Sequence, residues 1–172
     1  YYTWISNVNY ILAEEETMSG SETEKNYVLG QAYAVRAYSY FMLAQMFSRT
    51  YKGHESEPCV PLYTEPTDIA TEGKGRATIE EVYQQITSDL DKAITMLGNS
   101  GKRKHISHIN EAVASGIKAR VALVMEDWQT ALDAANAAIS KSGCSIGTGT
   151  AVTGGMNDAT ANNVMWAAEI IA

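Results

Sequence analysis

Proline is nearly missing from this sequence. The 172 residues contain only Pro58, Pro61 and Pro66, all within TYKGHESEPCVPLYTEPTDIATEGKGRA, residues 50–77. Elsewhere no pyrrolidine ring interrupts a helix. Within that stretch the prolines, with Gly53, Gly73 and Gly75, predict a loop running extended over the surface. Cysteine is also scarce. Cys59 and Cys144 lie far apart without C-x-x-C spacing, which argues against a redox pair or a zinc knuckle and leaves one disulfide open. The three histidines, His54, His105 and His108, are the only neutral-pH bases, and no Ser-His-Asp or Cys-His arrangement is recognisable around them. The expectation is a protein that is not an enzyme.

Positive charge is thin as well. Thirteen Lys and Arg face twenty Asp and Glu, a formal charge of −7, and the basic residues are scattered apart from Lys102–Lys104. A nucleic-acid partner is therefore not expected. No run approaches the ~20 apolar residues that span a bilayer, and no charged segment followed by an apolar one opens the chain. The sequence instead begins without methionine on Tyr1-Tyr2-Thr3-Trp4, as if inside a structured segment, so a fragment of a longer protein is expected. The aromatic residues are ten Tyr, three Trp and two Phe. This bias favours rings that pack on one edge and hydrogen-bond on the other, at helix interfaces or sugar-binding surfaces.

What remains is helical. From Thr78, the residues Ile79, Val82, Tyr83, Ile86, Leu90, Ala93, Ile94 and Leu97 recur at steps of three and four. Thr78 and Glu81 form a capping-box pattern, and Gly98-Asn99 is a stop signal. A second pair of helices starts at Ser107 or Asn110, turns at Glu126-Asp127 and ends at Gly143; so short a joint makes antiparallel neighbours. Ala119, Ala131 and Ala138 match the small positions of a tetratricopeptide-type hairpin. Ala122 stands where that repeat usually carries a large ring, so Trp128 is the candidate to cap the thinly filled interface. Residues 26–49 and 79–97 read as a first hairpin interrupted by the proline-bearing insert. Ile5, Val8, Ile11 and Leu12 mark a further helix before it, and residues 142–163, rich in Gly, Thr, Asn and Ala, read as loop. The fold class is all-α: tetratricopeptide-like helical hairpins, an α–α superhelix scaffold with long loop insertions, in a single domain over residues 1–172.

Several residues invite a functional reading. His105-x-x-His108 lacks a neighbouring carboxylate or cysteine and reads as solvated loop, not a metal site. IGTGTAVTGGMND lacks Gly-Lys-Ser/Thr and follows a helix rather than a strand, so it is not read as a nucleotide loop. Glu14-Glu15-Glu16 reads as a solvated acidic face, since adjacent helical residues point apart. No metal and no cofactor is expected. Tyr27, Tyr33, Tyr38 and Tyr40 point around more than one helix face and read as packing rings. Arg36, among apolar neighbours, reads as an internal clamp to Asp89 or Asp91. Tyr1, Tyr2 and Trp4 place three rings within four residues, more than one core-facing stripe buries.

The blocks QAYAVRAYSYFMLAQMF, PCVPLYTEP, RATIEEVYQQITSDLDKAITML and NEAVASGIKARVALVMEDWQTALDAANAAI, in this order and spacing, resemble the SusD/RagB family of Bacteroidetes outer-membrane lipoproteins. The resemblance runs from Tyr2, with a Y-x-x-I-x-x-x-N pattern at Tyr2, Ile5 and Asn9, to NVMWAAEI. It implies a non-enzymatic cell-surface protein that binds oligosaccharide or polysaccharide and passes it to a SusC-type TonB-dependent transporter. It also implies an extracellular-face position at the outer membrane through an N-terminal lipid anchor absent from this chain. Tyr1, Tyr2 and Trp4 are then the rings to stack on sugar, with Asn7 and Asn9 to bond hydroxyls. A tetratricopeptide-type module that binds protein segments without carbohydrate is the alternative.

Overall fold

The computed structural model describes residues 1–149, 153–154 and 158–168. Parts of the glycine-rich tract 146–158 and the end of NVMWAAEI therefore lie outside the described residues. Five helices carry the architecture: α1 (Tyr2–Ala13), α2 (Glu22–Phe47), α3 (Ile79–Gly98), α4 (Glu111–Val124) and α5 (Trp128–Ser142). The helical, tetratricopeptide-like arrangement pairs α2 with α3 and α4 with α5, while α1 lies on α2 and α3 also meets α4.

The helix ends follow local chemistry. Thr78 accepts from the Glu81 amide while the Glu81 carboxylate takes the Thr78 N–H at 2.7 Å, closing the capping box at α3. Ser21 and Glu24 make the same box at α2, which starts at Glu22 rather than near residue 26. The α4–α5 joint is compact because Glu126 takes the left-handed conformation, φ 61°, and Asp127 then caps the Thr130 amide. Gly143 closes α5 at φ 68°.

Ala119, Ala131 and Ala138 are all buried between α4 and α5. Trp128, expected to fill that interface, does not: it is 63% exposed, because it is the first residue of α5 and projects from the end of the pair. Cys59 and Cys144 are both free.

The insert departs most from its expected course over the surface. It contains two short antiparallel strands, β1 (Pro58–Pro61) and β2 (Arg76–Thr78), with an irregular register between them, and it buries Cys59 and Val60. Arg76 staples it, donating to the carbonyls of Cys59, Pro58 and Phe47. The hydroxyl of buried Tyr40 donates to the Tyr63 carbonyl at 2.8 Å and accepts from the Tyr63 amide at 2.7 Å.

Arg36 sits where these elements meet. Its Nε and Nη2 donate to the two oxygens of Asp89, each at 2.8 Å, and Nη1 reaches Asn9 Oδ1 at 2.9 Å and the Thr64 carbonyl at 3.2 Å. Gln85 gives Asp89 a further bond at 2.8 Å. Burial alone would push the guanidinium's pKa down, but the hydrogen bonds and charge of Asp89 outweigh it and leave it raised. Of the two candidate partners, Asp91 is instead paired with Lys118.

Two expectations follow for stability. Arg36→Met leaves the Asp89 carboxylate buried and without its ion-pair partner. It should cost about 3–5 kcal/mol in urea unfolding, with much of that loss recovered in the double variant Arg36→Met/Asp89→Leu. Gly30 is the close-approach point of α2 and α3: a Cβ there would lie 2.7 Å from Leu97 Cγ. Gly30→Ala should therefore lower Tm, although alanine gains about 1 kcal/mol in helix propensity. A rise in Tm would show that Leu97 yields without cost.

Candidate functional site

Helix α1 sorts its residues onto two sides. Tyr1, Trp4 and Asn7 follow one another at steps of three, Val8 stands four after Trp4, and all share one face, while Tyr2, Ser6 and Asn9 lie on the opposite one. Ile5 and Val8 anchor the helix in the core.

On the first face lies an open groove of about 520 Å³, lined by Tyr1, Trp4, Asn7, Val8, Val35, Tyr38, Ile109 and Trp166. Tyr1 and Trp4 meet edge to face, with ring centres 5.4 Å apart, and Trp4 is 53% exposed. Across the groove Tyr38 and Trp166 form a second edge-to-face pair at 5.7 Å. Trp166 is fixed by donating from Nε1 to the Ser107 carbonyl at 2.8 Å, and the segment carrying it is held where Arg103 donates to the Met165 carbonyl at 2.7 Å. Asn7 is exposed, and its amide has no hydrogen-bond partner among the described residues. Among the described residues, the lining side chains include no carboxylate, imidazole or thiol. Aromatic planes at fixed angles with one free amide suit van der Waals and C–H contact with a ligand, oriented by a few hydrogen bonds.

On the second face lies a smaller cleft of about 290 Å³ between α1 and the insert, lined by Tyr2, Ile5, Ser6, Asn9, Tyr63, Thr67, Asp68 and Thr71. The five residues expected to contact sugar are thus divided. Tyr1, Trp4 and Asn7 come together in the groove, and Tyr2 and Asn9 do not join them. The Tyr2 hydroxyl donates to the Pro61 carbonyl at 2.8 Å, and its ring stands edge-on to Tyr40 and Tyr63. Burial, with the neighbouring Tyr63 and Cys59, pushes its pKa up to about 12.

Asn9 is 1% exposed, and its amide is fully engaged. Nδ2 donates to the carbonyls of Tyr63 and Glu65, each at 3.0 Å, and Oδ1 accepts from Arg36. With both amide protons and the carbonyl occupied inside the protein, Asn9 is a packing residue rather than a ligand contact.

Two aromatic residues of the groove, Tyr38 and Trp166, were not anticipated as site residues. Tyr38 is indistinguishable in sequence from the packing tyrosines beside it. Trp166 lies beyond a tract without period, and its one signal is its place in NVMWAAEI, where the family resemblance ends. His105 and His108 stand 6.0 Å apart, and His108 Nδ1 is hydrogen-bonded to the Tyr27 hydroxyl.

No curated protein matches the chain. The SusD-like family, described as starch-binding and associating with the outer membrane, matches residues 1–123. Among solved structures, a SusD-like carbohydrate-binding protein from Bacteroides vulgatus is 28% identical, with a TM-score of 0.88 over 96% of this chain and 35% of its own. A SusD superfamily protein from Bacteroides thetaiotaomicron is 26% identical, with a TM-score of 0.76 over 86% of this chain and 32% of its own. A laminarin-binding SusD-like protein, 24% identical with a TM-score of 0.66, aligns over 83% of this chain and 29% of its own and shares the fold. The chain spans about a third of the length of these solved relatives. With more than half of its residues matched by the family, the chain belongs to the SusD-like proteins.

Proposed function

We propose that the protein is the helical scaffold part of a non-enzymatic glycan-binding lipoprotein at the outer face of the outer membrane, and that it holds oligosaccharide for delivery to a SusC-type TonB-dependent transporter. In this reading residues 1–172 form a single helical domain of a longer protein. The groove between α1, Tyr38 and Trp166 is its sugar-contacting surface.

One observation carries the reading: Tyr1 and Trp4 face Tyr38 and Trp166 across a groove of about 520 Å³, with the unpaired amide of Asn7 beside them. Sugar rings present apolar C–H faces to aromatic planes, and a planar amide matches adjacent hydroxyls. Such binding needs no proton transfer. The family's description as starch-binding and the laminarin-binding relative support glucans as the first ligands to try.

A second reading, a protein-binding helical module, has its own support. Trp128, Leu132 and Ile139 are 63%, 56% and 68% exposed and share one stripe of α5. Recovery of a peptide partner through this stripe, without any glycan binding, would favour it.

Isothermal titration against starch-type and laminarin-type oligosaccharides should show binding. Trp4→Ala should weaken it about tenfold or more, equivalent to about 1.4 kcal/mol, with an unchanged circular dichroism spectrum. Absence of binding to every glycan of a broad panel would overturn the glycan reading.

A further inference from the structure

The aromatic groove shares a wall with a second cavity. Tyr38 and Trp166 line both, and on their far side a space of about 350 Å³ is bounded by Gly116, Ile117, Arg120, Asn163 and Met165. Its walls are largely apolar, yet it contains a guanidinium.

Arg120 differs from the other arginines of the chain. Arg36 and Arg49 are paired with carboxylates, and Arg76 and Arg103 donate to backbone carbonyls. Arg120 lies with its Cζ 6.0 Å from the centre of the Phe41 ring, and it has no hydrogen bond or ion pair among the described residues. Arg120 is exposed, and its guanidinium lies at the outer limit of a cation–π contact with a buried ring, with its N–H fork free of any protein acceptor among the described residues. Neighbouring Lys118, two residues away on α4, is already paired with Asp91 and does not share this role. In a chain of formal charge −7, an unpaired cation in a cavity beside an aromatic groove is a local inversion of sign.

We infer that the ligand of this surface is an acidic glycan, with neutral sugar faces on the aromatic groove and an anionic substituent, carboxylate or sulfate, received by Arg120 across the Tyr38–Trp166 wall. The inference rests on the groove being the glycan site proposed above. It adds the class of sugar, because a guanidinium fork bonds a planar carboxylate or a sulfate through two parallel N–H groups, whereas a neutral hydroxyl meets only one. Asn163, lining the same cavity, supplies an amide for the hydroxyl next to the charged group.

The probes are tetragalacturonate, its methyl ester, which keeps ring shape and masks the charge, a sulfated galactotetraose and a neutral gluco-oligosaccharide. Each is titrated against the protein and against Arg120→Gln and Arg120→Lys. The protein should prefer an acidic probe over the methyl ester by about tenfold at low salt, a preference that shrinks at high salt. Arg120→Gln should abolish the preference while leaving binding of the neutral oligosaccharide unchanged, and Arg120→Lys should retain part of it. Stronger binding of tetragalacturonate assigns a carboxylate, and stronger binding of the sulfated probe assigns a sulfate. Binding of both acidic probes no stronger than that of the methyl ester, or a preference that survives in Arg120→Gln, overturns the inference while the glycan site stands. No binding of any of the four probes overturns the inference, and the glycan site falls with it when the broad panel also fails to bind.

Discussion

The buried fork of Arg36 on Asp89 is the contact on which the rest of the arrangement depends. It joins α2 to α3, and the same guanidinium reaches Asn9 of α1 and the backbone of Thr64 in the insert. Four segments separated in sequence are thereby held by one planar group. Removing two charges from water costs several kcal/mol per ion before relaxation by geometry, and hydrophobic replacements of such pairs are often no less stable. The pair is therefore best understood through direction. The close approach at Gly30 sets how near α2 and α3 lie, and a bidentate fork with every acceptor assigned adds a direction that apolar packing lacks.

That position decides what α1 shows to solvent. Asn9 binds Arg36 on one side and the carbonyls of Tyr63 and Glu65 on the other, and Tyr2 and Tyr10 donate to the carbonyls of Pro61 and Thr67. One side of α1 is thus bonded along its length to the insert. Tyr1, Trp4 and Asn7, rotated to the other side, remain available, and the aromatic groove is the counterpart of a helix whose polar bonds all point the other way. The tyrosine bias has the same cause: the ring of Tyr40, on α2, packs edge-on to Tyr2 of α1 while its hydroxyl satisfies the backbone of Tyr63 in the insert.

The elements that were legible in sequence are those whose signals are local. The α3 capping box at Thr78 and Glu81, the short joint at Glu126-Asp127 and the small residues between α4 and α5 each follow from spacing alone. The insert was not legible as a packed element because its bonds are made by backbone carbonyls, which every residue possesses and no composition reveals. The same limit separates Asn7 from Asn9. They are two residues apart and identical in type, and only the three-dimensional position of Arg36 makes one a structural bridge and leaves the other free. Trp166 and Tyr38 meet across more than a hundred residues, so no window on the sequence contains their pair.

A groove made in this way takes its rigidity from the core. Trp4 and Tyr1 stand on a helix fixed through Ile5, Val8 and Asn9, Tyr38 on the long helix that carries Arg36, and Trp166 on a segment held by Arg103 and the Ser107 carbonyl. Under the proposed reading this rigidity matters: aromatic planes held by separate elements would lose little freedom on binding, and the individually weak contacts with a sugar face would not be offset by ordering costs. Arg120 belongs to the same logic. Its stem rises from α4 and its guanidinium rests on Phe41, a core ring of α2, so the one unpaired arginine fork of the described surface is also positioned by the packing of the hairpins. The buried arginine spends its directionality on the scaffold, and the exposed one keeps its own for whatever lies against the groove.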